Sequence, residues 1–459
     1  MSRLVVVSNR VPDPSAGAQA GGLAVALHSL MERRGGLWFG WSGKIVDDPA
    51  QNAHTVTEGR VEYATVDLTQ EEHDRYYTGF SNSTLWPLLH SMPELMTFDR
   101  RDAQVYREVN ERLADILAPM LRPGDTIWVH DYHLLALPAL LRARGVDAPI
   151  GFFLHIPFPS PDVLATAPEM DTLVRELLQC DLVGFQTAND AENFTLAARR
   201  MADATAESDE WLSAGERRVR VGAFPVEIEA PEFARTAEAA WHSEPVERLR
   251  RSLGERALVI GADRLDPTKG LLQRMAGYRR FLETHEEWLS RVTFLQIAAE
   301  SRSEVSAYQE LRAALEQEAG HLNGEWSEPD WTPVRFVARA VSRETVAGYM
   351  REARVGLVTP LRDGMNLVAK EYVAAQNPDD PGVLVLSRFA GAAKQLDAAL
   401  LVNPHDADEI AEALDSALGM ELAERLERWR ACWGAIEGVT ALDWGESFLA
   451  ALPPVSGGA

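Results

Sequence analysis

Residues 353–376 read ARVGLVTPLRDGMNLVAKEYVAAQ and point to an α/β fold. It opens on a buried-looking strand, turns through Arg362, Asp363, Gly364 and Met365, and runs on as a helix. A helix N-terminus placed directly after a strand offers N–H groups and a partial positive charge, which suit a diphosphate. Asn366, Leu367 and Val368 stand where those N–H groups would be. Asp363, at the mouth of the crevice, can hold sugar hydroxyls. Glu371, eight residues further along and about two helical turns away, falls on the same side and can grip a ribose diol. The plain structural alternative makes Asp363 a turn residue or a cap.

The same punctuation recurs outward from this segment. ALVIGADRLDPTKGL (257–271) is again a strand, followed by a loop that carries Arg264 and Lys269 around Pro267 and Gly270. Two cations at the carboxyl end of one strand can neutralise a departing diphosphate, although isolated loop cations are commonly solvated or ion-paired. Short β-branched runs precede helix-like stretches at Leu4–Ser8, Thr126–His130, Ile150–His155, Leu182–Phe185, Ala257–Ala262, Val292–Ala298, Val355–Val358 and Val383–Ser387. Continuous rather than alternating apolar strands signal parallel sheets covered on both faces, so the fold class is α/β. A polar, helix-prone break near 230–250 precedes a fresh strand, which predicts a second doubly wound domain and a ligand cleft between the two. Glu207–Arg220 and Asn323–Thr332 read as surface loops.

At 459 residues the chain exceeds one core, and 46% apolar with 25% charged residues provides for two large domains. MSRLVVVSNR is a first strand rather than a secretory signal, and no apolar run approaches the ~18 residues that span a bilayer. Cys180 and Cys432 form no metal or redox spacing, which fits a cytoplasmic location. A net charge of −24 argues against nucleic acid and anionic membrane as partners. If the ligands are phosphates, local Arg and Lys must overcome that field. A homo-oligomer is neither specified nor excluded by the composition.

In the first half, SNR (8–10) ends the first strand, and Gly21-Gly22-Leu23 opens the next helix with room for close backbone approach to a ligand. HDYHLL (130–135) and FFLHIPFPSP (152–161) place Asp131 and His155 just beyond strand ends, where a polar residue points towards a ligand crevice unless it is satisfied structurally. His130, His133 and His155 lack a tight ligand spacing, so no metal is expected.

Together these strings resemble the trehalose-6-phosphate synthase family, retaining glycosyltransferases of two Rossmann-like domains (the GT-B fold). The resemblance runs through VVVSNR, GGLWFGWSG (35–43), YYTGFSNSTLWP (76–87), HDYHLL, FFLHIPFPSP, Ser301-Arg302, LVTPLRDGMNLVAKEYVAAQNP and VLVLSRFAGAA, in order along nearly the whole chain. It implies glucose transfer from a nucleotide diphosphate glucose to glucose 6-phosphate, without metal or other cofactor. By matching motif, Arg10, Tyr77, Trp86 and Arg302 are similar to the acceptor set, with Asp131 on acceptor hydroxyls. Gly22, Arg264, Lys269, Val341, Asn366, Leu367, Val368 and Glu371, together with Gly364 and Met365 of the turn, are similar to the donor nucleotide set. His155 and Asp363 are similar to residues that hold the donor glucose, and with Arg264 and Lys269 they form the expected catalytic group. The resemblance assigns residues 1–232 to an acceptor-binding domain and 233–440 to a donor-binding domain, with the helix in 441–459 packing back onto the first.

Four positions depart from the family pattern. Ala299 stands where a proline is frequent and Val341 where a bulky aromatic is; both belong by resemblance to the walls around the nucleobase. Two smaller side chains open room, which predicts GDP-glucose over UDP-glucose as donor. Pro267 and Glu227 replace an aromatic and a glycine, and Glu227 puts the local backbone in question because glycine adopts angles that glutamate resists. Two other functions share this pattern: a pseudo-glycosyltransferase coupling a cyclitol to an amino-cyclitol phosphate, and a non-catalytic sensor of sugar phosphates.

Overall fold

LVVVSNR, Leu4–Arg10 (β1), has five consecutive buried residues, as expected of a strand covered on both faces. The structure is a computed structural model and describes residues 3–12, 22–302 and 304–454. Gly21 lies outside them. The chain divides into two units: Met1–Val226 with Ala441–Ala459, and Glu227–Thr440.

In the first unit β1 is joined by β2 (Gly36–Ile45), β3 (His54–Glu58), β4 (Val61–Leu68), β5 (Thr126–His130), β6 (Ile150–Phe153), β7 (Leu182–Phe185), β8 (Thr205–Ala206), β9 (Trp211–Ala214) and β10 (Arg217–Ala223). Their order is β3-β4-β2-β1-β5-β6-β7-β10-β9-β8. The run from β4 to β10 is parallel, and the antiparallel partners β3 and β9–β8 finish its edges. The strand order reverses between β1 and β5, so the loops after those two strands part to leave a crevice at their carboxyl ends. The segment expected to be a surface loop at 207–220 instead forms β9 and most of β10, because β10 finds an edge to pair with on β7. Strand β6 stops at Phe153, two residues short of the expected end.

Helix Arg100–Leu117 shows how local chemistry builds this unit. Asp99 caps it by accepting from Arg101 N at 2.7 Å and Asp102 N at 3.3 Å. Val105, Val109, Leu113 and Leu117 follow at four-residue spacing and bury one face in the core. That helix packs beside a π-helical segment, His73–Leu85, entered through a capping box in which Thr69 and Glu72 satisfy each other's backbone N–H groups. The C-terminal helix Ala441–Ala451 belongs to this unit. Phe448 stacks on Trp128 at 4.6 Å and fills the space left by Gly151 and Gly184, and Trp444 Nε1 donates to Phe224 O at 3.1 Å.

The second unit contains β11 (Ala257–Arg264), β12 (Val292–Ala299), β13 (Val334–Val337), β14 (Val355–Val358), β15 (Val383–Ser387) and β16 (Leu400–Val402). All pair in parallel in the order β13-β12-β11-β14-β15-β16, the doubly wound dinucleotide-binding order. Its reversal falls between β11 and β14, the two strands that carry the Arg264–Lys269 and Arg362–Asn366 loops. Beneath those loops Arg274 is fully buried. Its guanidinium donates to Asp263 Oδ2 at 2.6 Å, Gln296 Oε1 at 2.9 Å and Thr359 Oγ1 at 3.0 Å, tying together β11, β12 and the end of β14. The stretch 323–332 is not all loop: helix Ser306–Trp326 runs into it, and Glu328 bridges Trp331. Among the described residues no helix is long and apolar enough to cross a membrane.

Candidate active site

In the second unit the loops after β11 and β14 touch. Leu361 N donates to Thr268 O at 2.9 Å. Gly270 sits at φ +64, where an added Cβ would collide with the Thr359 carbonyl, so only glycine allows this approach. The contact brings the Lys269 ammonium onto Asp363 Oδ2, which also accepts from Asn366 Nδ2 at 3.0 Å. Asn366 in turn caps helix Leu367–Ala375 through Ala369 N at 3.1 Å, from a left-handed conformation of φ 74. Leu367 and Val368 open the first turn, where an α-helix has no acceptor of its own for its N–H groups.

Asp363 itself precedes the helix. Its N–H donates to Phe389 O at 3.2 Å and its carbonyl accepts from Gly391 N at 3.2 Å, while Met365 O accepts from Ala392 N at 2.7 Å. The expected two-turn helical spacing from Asp363 to Glu371 therefore does not hold, since only Glu371 lies on the helix. Glu371 accepts from Arg343 Nη2 at 3.1 Å, and burial raises its carboxyl above the usual range against the pull of Arg343.

Arg264 is the last residue of β11, and its side chain is half exposed. Asp266, fully buried, lies 3.9 Å from Arg264 and 3.6 Å from Arg302. Arg302 donates to the Tyr308 hydroxyl at 2.6 Å, and Tyr308 donates to Asp266 Oδ2 at 3.1 Å. Burial, and secondly Asp266, push the Tyr308 phenol up, so it remains a neutral donor. Neither Asp266 nor Tyr308 was singled out in the sequence, because an Asp beside a proline reads as a turn residue.

Glu227 is also more than a loop residue. It is buried, accepts from Lys370 Nζ at 2.7 Å and Gln395 Nε2 at 2.6 Å, and shows no left-handed backbone. The expected backbone conflict does not arise; the glutamate instead anchors the helix residue next to Glu371. Val341 lies half-buried in the loop before helix Arg343–Glu352, and Ala299 closes β12 beside Arg264.

In the first unit three of the expected acceptor residues, Arg10, Tyr77 and Trp86, belong to one chain of ring contacts, while Arg302 lies in the second unit. The Arg10 guanidinium stands over Trp41 at 5.5 Å, and Gly43, at φ +86, leaves it room where a Cβ would collide. Trp41 meets Tyr77 at 5.6 Å, Tyr77 stacks on His133 at 5.8 Å, His133 contacts Tyr132 at 3.9 Å, and Tyr132 reaches Trp86 at 5.5 Å. The π-helical winding of His73–Leu85 presents Tyr77 to Trp41, while its neighbour Tyr76 donates to Asn9 Oδ1 at 2.8 Å. Trp41 and His133 are members of the cluster that sequence reading left without a role as binding residues. Gly22 begins helix Gly22–Arg34.

Asp131, immediately after β5, adopts φ 74 and ψ 167, a region open almost only to glycine. Strain of this kind persists where the surroundings impose it: Asp131 N donates to Phe153 O at 2.8 Å, and Oδ1 accepts from His155 N at 3.4 Å. His130 Nδ1 lies 3.1 Å from His155 Nε2, so one ring donates to the other. Burial holds both imidazoles low, His155 down to about 3, and each is neutral at pH 7. Among the described residues no group of three or more His, Cys, Asp or Glu is placed to hold a metal ion.

Two α/β units on largely parallel sheets, the second gathering two cations, a carboxylate and a helix N-terminus at its point of reversal, suit a glycosyltransferase, and comparison with known proteins gives that class. The sequence matches the family model "Glycosyltransferase family 20" over residues 4–453, and the chain belongs to that family. It is similar to the trehalose-6-phosphate synthase of Sinorhizobium fredii, 48% identical over 98% of both chains. Among solved structures it resembles the UDP-forming α,α-trehalose-phosphate synthase of Burkholderia vietnamiensis at 47% identity and a TM-score of 0.95, covering 98% of both chains. It also resembles the UDP-forming enzyme of Burkholderia xenovorans in complex with glucose 6-phosphate, at 44% identity and a TM-score of 0.94, covering 98% and 99%. The expectation of GDP-glucose finds no support here, since these structural relatives are UDP-forming. Room enough for a double ring admits a single one as well, so small side chains at Ala299 and Val341 do not by themselves choose the base.

Proposed function

We propose that this glycosyltransferase moves glucose from UDP-glucose to glucose 6-phosphate, releasing UDP and giving trehalose 6-phosphate with the anomeric configuration retained. The observation that carries the reading is the convergence of Arg264, Lys269, Asp363 and the Asn366-capped helix start at the β11/β14 reversal, in a chain nearly half identical to UDP-forming synthases along its length.

In this reading Lys269, Arg264 and the N–H groups of Leu367 and Val368 receive the negative charge that grows on the diphosphate as the glycosidic bond breaks. Asp363 holds the donor glucose, with Gly364 and Met365 shaping the turn around it. His155, being neutral, contributes a hydrogen bond to the same sugar without competing for a proton. Glu371 binds the ribose diol, and Gly22 allows close backbone approach to the donor. Arg10, Tyr77, Trp86 and Arg302 take the acceptor and its phosphate, and Asp131 its hydroxyls. No side chain is assigned as a covalent nucleophile: the leaving phosphate oxygen accepts the proton of the incoming hydroxyl on the same face.

The test is a donor panel. The purified chain is incubated with glucose 6-phosphate and UDP-, GDP- or ADP-glucose, and kcat/KM and product identity are measured. UDP-glucose should give the highest kcat/KM and trehalose 6-phosphate as product. A preference for GDP-glucose would restore the purine reading, and nucleotide release without trehalose 6-phosphate would refute the acceptor assignment.

A further inference from the structure

Asp266 has no solvent exposure, yet its carboxylate serves two cations at once. Its Oδ1 accepts from Thr268 N at 3.0 Å and Thr268 Oγ1 at 2.9 Å, which fixes the loop that ends in Lys269. Its Oδ2 accepts from Tyr308 at 3.1 Å and faces Arg302 Nη1 at 3.6 Å and Arg264 Nη2 at 3.9 Å. Tyr308 completes a relay, accepting from Arg302 at 2.6 Å while donating to Asp266. Arg302 enters this arrangement from a left-handed backbone, φ 50, with a side chain only 8% exposed.

Two guanidiniums this close to one another repel, and each has several rotamers open to it. A buried carboxylate between them offsets the repulsion, but only while both stay near, because a buried anion without partners is itself costly. The phenol adds direction: its single hydroxyl sets where Arg302 points. We propose that Asp266 and Tyr308 are positioning residues that fix Arg264, the cation for the departing diphosphate, and Arg302, the cation for the acceptor phosphate, on one shared buried anion. The proposal rests on the roles assigned above to those two arginines. Neither Asp266 nor Tyr308 need touch a substrate; they act through the arginines they hold.

The experiment compares the full chain with Tyr308→Phe and Asp266→Asn, measuring kcat, the KM for each substrate, the Kd for UDP by calorimetry and the melting temperature. Tyr308→Phe breaks only the relay and should raise the KM for glucose 6-phosphate about tenfold, a charge-assisted bond being lost. Its Kd for UDP should stay within about twofold, since Arg264 keeps Asp266. Asp266→Asn removes the shared charge and should lower kcat about 10²-fold while raising both KM values. A purely structural role would lower the melting temperature and leave KM and kcat of the folded enzyme unchanged, and that outcome overturns the proposal. If the unaltered chain does not use glucose 6-phosphate, the functional reading fails, and a crystal structure of Tyr308→Phe decides the positioning instead. A displaced Arg302 guanidinium supports it, and an unmoved one overturns it.

Discussion

The Lys269 ammonium and the Asp363 carboxylate, from the loops after β11 and β14, form an ion pair whose two side chains are each 13% exposed. In the proposed reaction two tasks meet in that pair: the cation serves the diphosphate, and the anion serves the sugar. Lys269→Ala should lower kcat about 10²-fold. Asp363→Ala should raise the KM for UDP-glucose while leaving the Kd for UDP within about twofold, because UDP carries no glucose. A parallel loss of UDP affinity in calorimetry would mean that Asp363 acts only by holding Lys269.

Arg264 ends β11 with half its side chain exposed, and the proposed reaction has it meet the charge that grows as the donor breaks. Arg264→Ala is expected to reduce kcat by about 10²-fold or more, with a smaller change in donor KM. Steady-state kinetics with saturating donor checks this, and an unchanged kcat would remove Arg264 from the reaction.

Asp131 holds φ 74 and ψ 167 at the end of β5. Asp131→Gly relieves that backbone and Asp131→Ala retains it, while both delete the carboxylate. The glycine variant should be the more stable of the two by about 1 kcal/mol in urea unfolding, with both losing at least about tenfold in kcat/KM for glucose 6-phosphate. Equal stability would show that the backbone there carries no strain.

Glu227 and Lys370 are almost fully buried against each other at 2.7 Å. Burial draws the Lys370 amine below its ordinary range, and Glu227 opposes that shift. Removing either partner strands a buried charge, so Glu227→Leu and Lys370→Met should each cost about 3–5 kcal/mol, while the double variant costs much less than their sum. Additive losses in a double-mutant cycle would count against the pairing.

His130 and His155 are neutral in the folded protein and take up protons on unfolding, since the unfolded pKa is about 6.5. The unfolded chain then binds more protons wherever the pH lies between the folded values, about 3 for His155, and ~6.5. Their contribution is complete above that upper limit and is lost progressively as pH falls, by up to about 1.4 kcal/mol per pH unit for each imidazole. His130→Gln should flatten the stability profile between roughly pH 6.5 and 4 in urea titrations. A profile as steep as the parent's would assign the acid loss to other groups.

The eight strands expected from short apolar runs all form, three of them extended to reach Arg10, Arg264 and Ala299. Such strands are legible because burial on both faces of a parallel sheet demands continuous apolar residues, and that demand is local. The loops after β11 and β14 were legible for the same reason, since strand, turn and helix start lie within about twenty residues of each other. The edge strands β8 and β9 were not, because their pairing partners, and not their composition, make them strands.

Local pattern is enough for the α/β class, the paired strand-end loops and the residue types suited to phosphate and sugar. What those residues lean on comes from the folded chain. Asp266 and Tyr308 are 42 positions apart, Arg274 and Thr359 are 85, and Glu227 and Lys370 are 143. A buried charge is tolerable only beside its partner, and no local pattern announces a partner that the fold delivers from so far along the chain.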